Sequence, residues 1–373
     1  MKVEFYKHNL GEEEINSAVE VLKSIFLTTG PRVAAFEKMF ASYFNAGYAV
    51  TTSSWTTGAF LTLKAWKIGP GDEVIVPPMT FIATPNVVLH CGATPVFVDV
   101  EPETGLINVD QVEKAVTPRT KAIIPVHLYG QMADMVRLRR IADRFNLKIL
   151  EDSAHCIEGE RDGIRPGMLG DAAVFSFYAT KNITCGEGGA VVTNDPALAE
   201  KLKLLRLHGM SKSAVDRYTS TYNHWEMELL GYKANLTDIQ AALLLHQLKS
   251  IDEKWERREA ICRRYEKAFS EAGIAFPKVL PGSKSARHLM TIWVKERDKT
   301  LAELQEAGVG VAVNFRAVHL LKYYRETFGY KRGDYPVAEQ IGDSTISLPT
   351  YPKLKDIELD YVIKCVLRVA GKK

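Results

Sequence analysis

The chain has 373 residues, 46% of them hydrophobic and 25% charged, the balance of a soluble globular protein with a substantial core. Lys and Arg number 48 against 45 Asp and Glu, a net charge of +3, which excludes a polybasic binder of nucleic acid or anionic membrane. No run approaches the roughly 18–20 apolar residues that cross a bilayer, and the charged start Met1-Lys2-Val3-Glu4 predicts no secretory leader.

Residues 12–26 place Ile15, Val19, Leu22 and Phe26 at helical steps of three and four, which predicts an amphipathic helix. Pro31 opens a second helix carrying Val33, Phe36, Phe40 and Phe44. The hydroxyl-rich run Thr51-Thr52-Ser53-Ser54-Trp55-Thr56-Thr57-Gly58 could start a helix whose free N–H groups suit a phosphate, although such runs are commonly loops and caps. From residue 72 onward, short apolar runs recur at 74–76, 96–98, 122–124, 149–150, 173–175 and 190–192. Several are separated by helical stretches such as 134–145. Strands buried on both faces read this way, so an α/β fold with a mostly parallel sheet between helices is expected.

Further helices are expected at 196–207, at 238–248 behind Thr237 as N-cap, and at 252–269. Residues 276–282 read as a proline-punctuated connector, and the residues beyond 282 as part of a small α+β domain. The boundary falls near 250, giving a large domain at 1–250 and a small C-terminal domain at 251–373. The five cysteines are scattered and form no C-x-x-C pair, so neither disulfides nor a zinc site is predicted, and a cytoplasmic protein fits best.

Chemistry in an open α/β sheet gathers at the carboxyl ends of its strands. Three of those ends here are unusually polar, the hydroxyl-rich run at 51–58 being one of them. The run at 149–150 leads into Glu151-Asp152-Ser153-Ala154-His155, and the run at 173–175 leads into Tyr178-Ala179-Thr180-Lys181-Asn182 and then Gly186-Glu187-Gly188-Gly189. Taken singly, such a lysine reads as a solvated side chain and such an aspartate as a helix cap. Together, an amine able to form a Schiff base and a carboxylate able to hold a pyridine nitrogen protonated are the groups pyridoxal phosphate requires.

These strings resemble the signatures of the nucleotide-sugar aminotransferases, the DegT/StrS family. Gly69-Pro70-Gly71-Asp72-Glu73-Val74, Gly92-Ala93-Thr94-Pro95-Val96-Phe97 and Ile124-Pro125-Val126-His127-Leu128-Tyr129-Gly130 are similar to further family strings, in order along the chain. The resemblance implies the pyridoxal-phosphate-dependent transferase fold type I. It makes Lys181 the residue that holds the cofactor and Asp152 the partner of its ring nitrogen. It places His155 near the phenolic oxygen and Phe81 on the ring. Ser54, Trp55, Thr56 and Ser176 match the phosphate cradle.

Two departures stand out. Trp55 replaces a small family residue, so its indole is expected to point elsewhere, toward substrate or a partner subunit. Gly231-Tyr232-Lys233-Ala234-Asn235 departs from the family loop that reaches the neighbouring subunit's cofactor phosphate, leaving Lys233 and Asn235 as its candidates. The shared site implies a homodimer. The implied reaction transfers an amino group from L-glutamate to a nucleotide-linked keto sugar, leaving 2-oxoglutarate and passing through pyridoxamine phosphate. Lys181 argues against the sugar dehydratases of the family, which carry histidine there, and a regulatory, non-catalytic relative has no need of both Lys181 and Asp152. The strings around Arg316 and His319 are similar to the branch acting on 4-keto sugars; Asn314 stands where that branch has histidine, which keeps amination at C3 open. Thr29, Tyr178, Arg316 and His319 are the implied substrate residues.

Overall fold

The computed structural model describes residues 1–211 and 224–371. Its centre is a seven-stranded sheet made of β1 (Tyr48–Thr52), β2 (Glu73–Val76), β3 (Thr94–Phe97), β4 (Thr120–Ile123), β5 (Lys148–Asp152), β7 (Ala172–Ser176) and β8 (Gly189–Thr193). The order across the sheet is β1-β8-β7-β5-β4-β2-β3. Within it only β8 runs against the rest, pairing antiparallel with both β1 and β7. The two-residue strand β6 (Glu160–Arg161) pairs with β9 (Ser283–Lys284) outside the sheet.

The central strands are apolar on both faces, and the side chains alternate between two cores. Val174 and Val191 face the helices Trp55–Ala65 and Pro196–Leu205, while Ala173 and Phe175 face the helix Pro31–Tyr43. Phe36 and Phe40 on that helix, and Phe44 just past its end, are buried against Phe175 and Phe177, as the helical spacing predicted. Full burial of one such ring contributes about 1.5–3 kcal/mol. Ile75, Ile123 and Ile149 pack under the helix Met135–Phe145, whose N-cap Asp134 accepts from Arg137 N–H.

The helix Glu12–Leu22 differs from expectation. Glu14, Ser17 and Val21 are its buried residues, while Ile15, Val19 and Leu22 of the apolar stripe are exposed. It packs on the helix Asp238–Lys249 through the narrower face, and the stripe looks outward.

The helix Ile251–Glu271 leads to a second core around the antiparallel pair β10 (Met290–Trp293) and β11 (Thr345–Leu348). Tyr265, Phe269, Ile292, Ile346 and Val362 are fully buried there. Val3 joins this core through backbone bonds with Gly308 and Gly310, so the first residues strap onto the far end of the chain. That strap carries Phe5 and Tyr6 to the carboxyl edge of the sheet, where Asp152, Ser176 and Ser54 also lie.

Candidate active site

A cavity of about 530 Å³ opens at that edge. Lys181 lies on its wall in the turn after β7, with its backbone N–H bonded to the Tyr178 carbonyl at 2.9 Å. Its amine has no hydrogen-bond partner among the described residues. Burial lowers it to about 8, against an opposing pull from Asp152. A larger than usual share of the amine is therefore neutral at pH 7, as a nucleophile or base requires.

Asp152 ends β5 and is held from two sides. Thr84 Oγ1 donates to Oδ2 at 2.7 Å, and the Ala154 N–H donates to Oδ1 at 3.2 Å. Thr84 commits its proton to Asp152, so Thr80, whose Oγ1 lies 2.8 Å away, donates to Thr84. Burial still raises the carboxyl above its usual range. A cationic ring nitrogen placed against it would favour the ionised form.

His155 lines the same cavity, and its Nδ1 is buried without a partner. Burial, then the positive charge of Lys181, holds this imidazole neutral and well below the usual histidine range. Ser54 caps the helix Trp55–Ala65 by accepting from the Thr57 N–H at 3.1 Å, and Ser54, Trp55, Thr56 and Ser176 border the cavity together. The first N–H groups of a helix lack intrahelical acceptors, so this start suits an anion. Gly189 of β8 lies against it. A Cβ there would sit 2.5 Å from the Ser54 carbonyl carbon, so only glycine allows the close approach.

The Trp55 indole corrects the sequence expectation. It is buried in the core, and Nε1–H donates to the Val174 carbonyl at 3.1 Å, pointing toward neither the cavity nor the outside. Phe81 is on the wall, 56% exposed, with its ring 5.8 Å from Phe315. Tyr178 is also on the wall and half-exposed.

Other expected residues lie outside the cavity lining. Thr29 and Asn235 bond to each other at 2.8 Å, and Lys233 is exposed. Arg316 is exposed as well. His319 is fully buried, and its Nε2 pairs with Glu339 at 3.0 Å. It is a core histidine and neither a surface nor a substrate-facing one. Conversely, the cavity is completed by residues the sequence did not single out: Phe5, Tyr6, Thr84, His288 and Phe315. Thr84 sits in the same string as Phe81, one helical turn from Thr80, and that spacing was its only local signal. Phe5, Tyr6 and His288 carry none, because they arrive from opposite ends of the chain. Among the described residues no group of His, Cys, Asp and Glu is arranged to hold a metal.

The unpartnered amine, the doubly anchored carboxylate, the orphaned His155 Nδ1 and the free helix start fit pyridoxal phosphate. A model of the DegT/DnrJ/EryC1/StrS aminotransferase family matches residues 8–367. The chain belongs to this family. SpsC, a spore coat polysaccharide biosynthesis protein of Bacillus subtilis, is 45% identical over 366 residues, which cover 96% of this chain and 94% of SpsC. Spr1654 of Streptococcus pneumoniae in its PMP form has a TM-score of 0.93 at 33% identity over 99% of each chain, and it has also been solved in a PLP form. PseC of Helicobacter pylori, an aminotransferase involved in the biosynthesis of pseudoaminic acid, has a TM-score of 0.92 at 30% identity over 99% of each chain. This family member is a pyridoxal-phosphate-dependent sugar aminotransferase of fold type I. Among the described residues, no helix is long and apolar enough to cross a membrane.

Proposed function

We propose that this aminotransferase moves an amino group from L-glutamate to a nucleotide-linked 4-keto sugar, giving a 4-amino-4-deoxy sugar nucleotide and 2-oxoglutarate. The observation that carries the chemistry is the unpartnered Lys181 amine on one cavity wall with the anchored Asp152 carboxylate. Pyridoxal phosphate, when bound, supplies the electron sink that makes the proton on the amine-bearing carbon acidic. Lys181 would hold it and, once displaced by the amino donor, takes that proton as a base and later returns it. Asp152 would face the ring nitrogen and, fixed by Thr84 and Ala154, keeps its charge in place through both halves of the reaction. His155 would donate to or accept from the phenolic oxygen. Ser54, Ser176 and the N–H groups of Trp55 and Thr56 would hold the phosphate. Phe81, Phe315 and Phe5 give the cavity apolar walls that exclude water.

The sugar position rests on the strings around Arg316 and His319. Asn314, which stands where that branch has histidine and lines the cavity, keeps C3 amination open as the second reading. The name of SpsC, tied to a spore coat polysaccharide, supports a sugar destined for a polysaccharide. We further read the protein as a cytoplasmic homodimer with shared active sites, divided near residue 250. The outward apolar stripe of Ile15, Val19 and Leu22, continued by Ile25, which is 83% exposed, supports a second copy covering that face. Lys233, exposed and off its own cavity, is free to reach a partner's phosphate site. All five cysteines are free and buried, which fits a reducing compartment. Assaying 3-keto and 4-keto nucleotide sugars with glutamate tests the substrate. Turnover of the 4-keto set alone is expected; turnover of the 3-keto set alone would replace it with the C3 reading.

A further inference from the structure

His288 lies on the cavity wall, and none of the roles above uses it. Its state is set by the residue next to Lys181. Asn182 Nδ2 lies 2.7 Å from Glu158 Oε2 and 3.0 Å from the Ala286 carbonyl oxygen. Both partners are acceptors, and the other oxygen of the buried Glu158 carboxylate is paired with Arg258. The amide therefore commits its N–H groups on that side. Its Oδ1 is the atom turned to His288 Nδ1, at 3.0 Å. An amide oxygen cannot donate, so His288 carries its proton on Nδ1. Burial, with Lys181 and Arg258 nearby, keeps the ring neutral, well below the usual histidine range.

A neutral imidazole protonated at Nδ1 has one lone pair, at Nε2. That atom has no protein partner among the described residues, and the ring borders the cavity that holds Lys181. The buried pair of Arg258 and Glu158 thus fixes Asn182, and Asn182 fixes which nitrogen of His288 can accept. Of the two substrates, the sugar presents hydroxyls beside its reacting carbon and glutamate presents none.

We infer that His288 is a specificity-determining residue whose Nε2 accepts a hydrogen bond from the sugar hydroxyl on the carbon next to the carbonyl. This rests on the keto-sugar reading of the same site. A fixed acceptor rejects a ligand without the matching donor far more strongly than an apolar wall does, because the acceptor is then left bare.

The test uses the holoenzyme, glutamate and two keto-sugar nucleotides that differ only in that hydroxyl. His288→Phe is expected to lower kcat/KM for the hydroxylated sugar about tenfold and for the deoxy sugar less than about twofold. Asn182→Leu keeps the histidine but frees its tautomer. It is expected to shift the same ratio in the same direction by a smaller factor, and it carries the test if His288→Phe does not fold. Nitrogen-15 shifts of His288 in the native holoenzyme are expected to show the Nδ1–H form. Equal losses on both sugars, or an Nε2–H tautomer, overturn the inference. If the native enzyme aminates neither sugar, the keto-sugar reading falls and takes this inference with it. If it aminates both and His288→Phe does not discriminate between them, this inference alone falls.

Discussion

The part of the cavity that carries Asp152, Ser176 and Lys181 comes from two neighbouring strands and the turns after them. Ser54, Thr56, Phe81 and Thr84 add a helix start and a loop, and a further part draws Phe5 and Tyr6 from the N-terminal strap and His288, Asn314 and Phe315 from the C-terminal region. The first part sets a carboxylate fixed by hydrogen bonds from Thr84 and Ala154 beside an amine without a partner. The part drawn from the two ends of the chain brings aromatic rings and unpaired polar atoms, including the Tyr6 hydroxyl, which is buried without a partner. In the proposed reading, the groups that act on the cofactor ring lie on adjacent strands, and the sugar meets residues from distant segments.

Changes in the two parts should then damage the reaction differently. The largest effect is expected from Asp152→Asn, which removes the charge proposed to face the ring nitrogen. Both half-reactions should slow about 10²- to 10³-fold, measured as single-turnover spectral changes with glutamate and with keto sugar. A loss confined to one half-reaction would break the division. Thr84→Val removes the hydrogen bond that orients Asp152, and a bond to a charged group contributes roughly 1.5–3 kcal/mol. Both half-reactions should fall at least about tenfold, the absorption of the bound cofactor should shift, and Thr84→Ser should restore both.

The pH dependence isolates Lys181. Its amine is lowered by burial to about 8, so its neutral form reaches half there and is nearly complete about one pH unit above. The rate at which apoenzyme takes up pyridoxal phosphate should rise with pH through a midpoint near 8 and level off by about 9. A continued rise above 10 would mean an ordinary, solvated lysine. The smallest effect belongs to the strap. Tyr6→Phe deletes the unpartnered hydroxyl, whose proton burial holds up to about 12. It should raise the KM for one substrate about two- to tenfold, leaving the cofactor spectrum unchanged.

The same division explains what could be read from residues alone. The runs at 74–76, 149–150 and 190–192 are strands because both faces are buried and the apolar signal is continuous. β1 was hidden because Thr51 and Thr52 are fully buried yet polar, their hydroxyls satisfied by Glu37 and by the Ser54 carbonyl. The helix Glu12–Leu22 was legible as amphipathic, but its period does not reveal which face meets the rest of the chain. Trp55 misled because a ring beside a phosphate cradle can instead pass beneath the helix and bond to β7. His319 misled because its partner Glu339 lies twenty residues away in a part of the chain without a motif. His288 was invisible because its meaning depends on Asn182, Glu158 and Arg258, which only the fold brings together.

The most direct test of the site is the visible absorption of purified native protein and Lys181→Ala, each loaded with pyridoxal phosphate and then given glutamate and a keto-sugar nucleotide. The native protein is expected to show a cofactor band that shifts with glutamate and returns with the sugar, while Lys181→Ala completes neither change at a comparable rate. A Lys181→Ala protein that cycles like the native one, or a native protein that binds no cofactor, would contradict the assignment of Lys181 and Asp152.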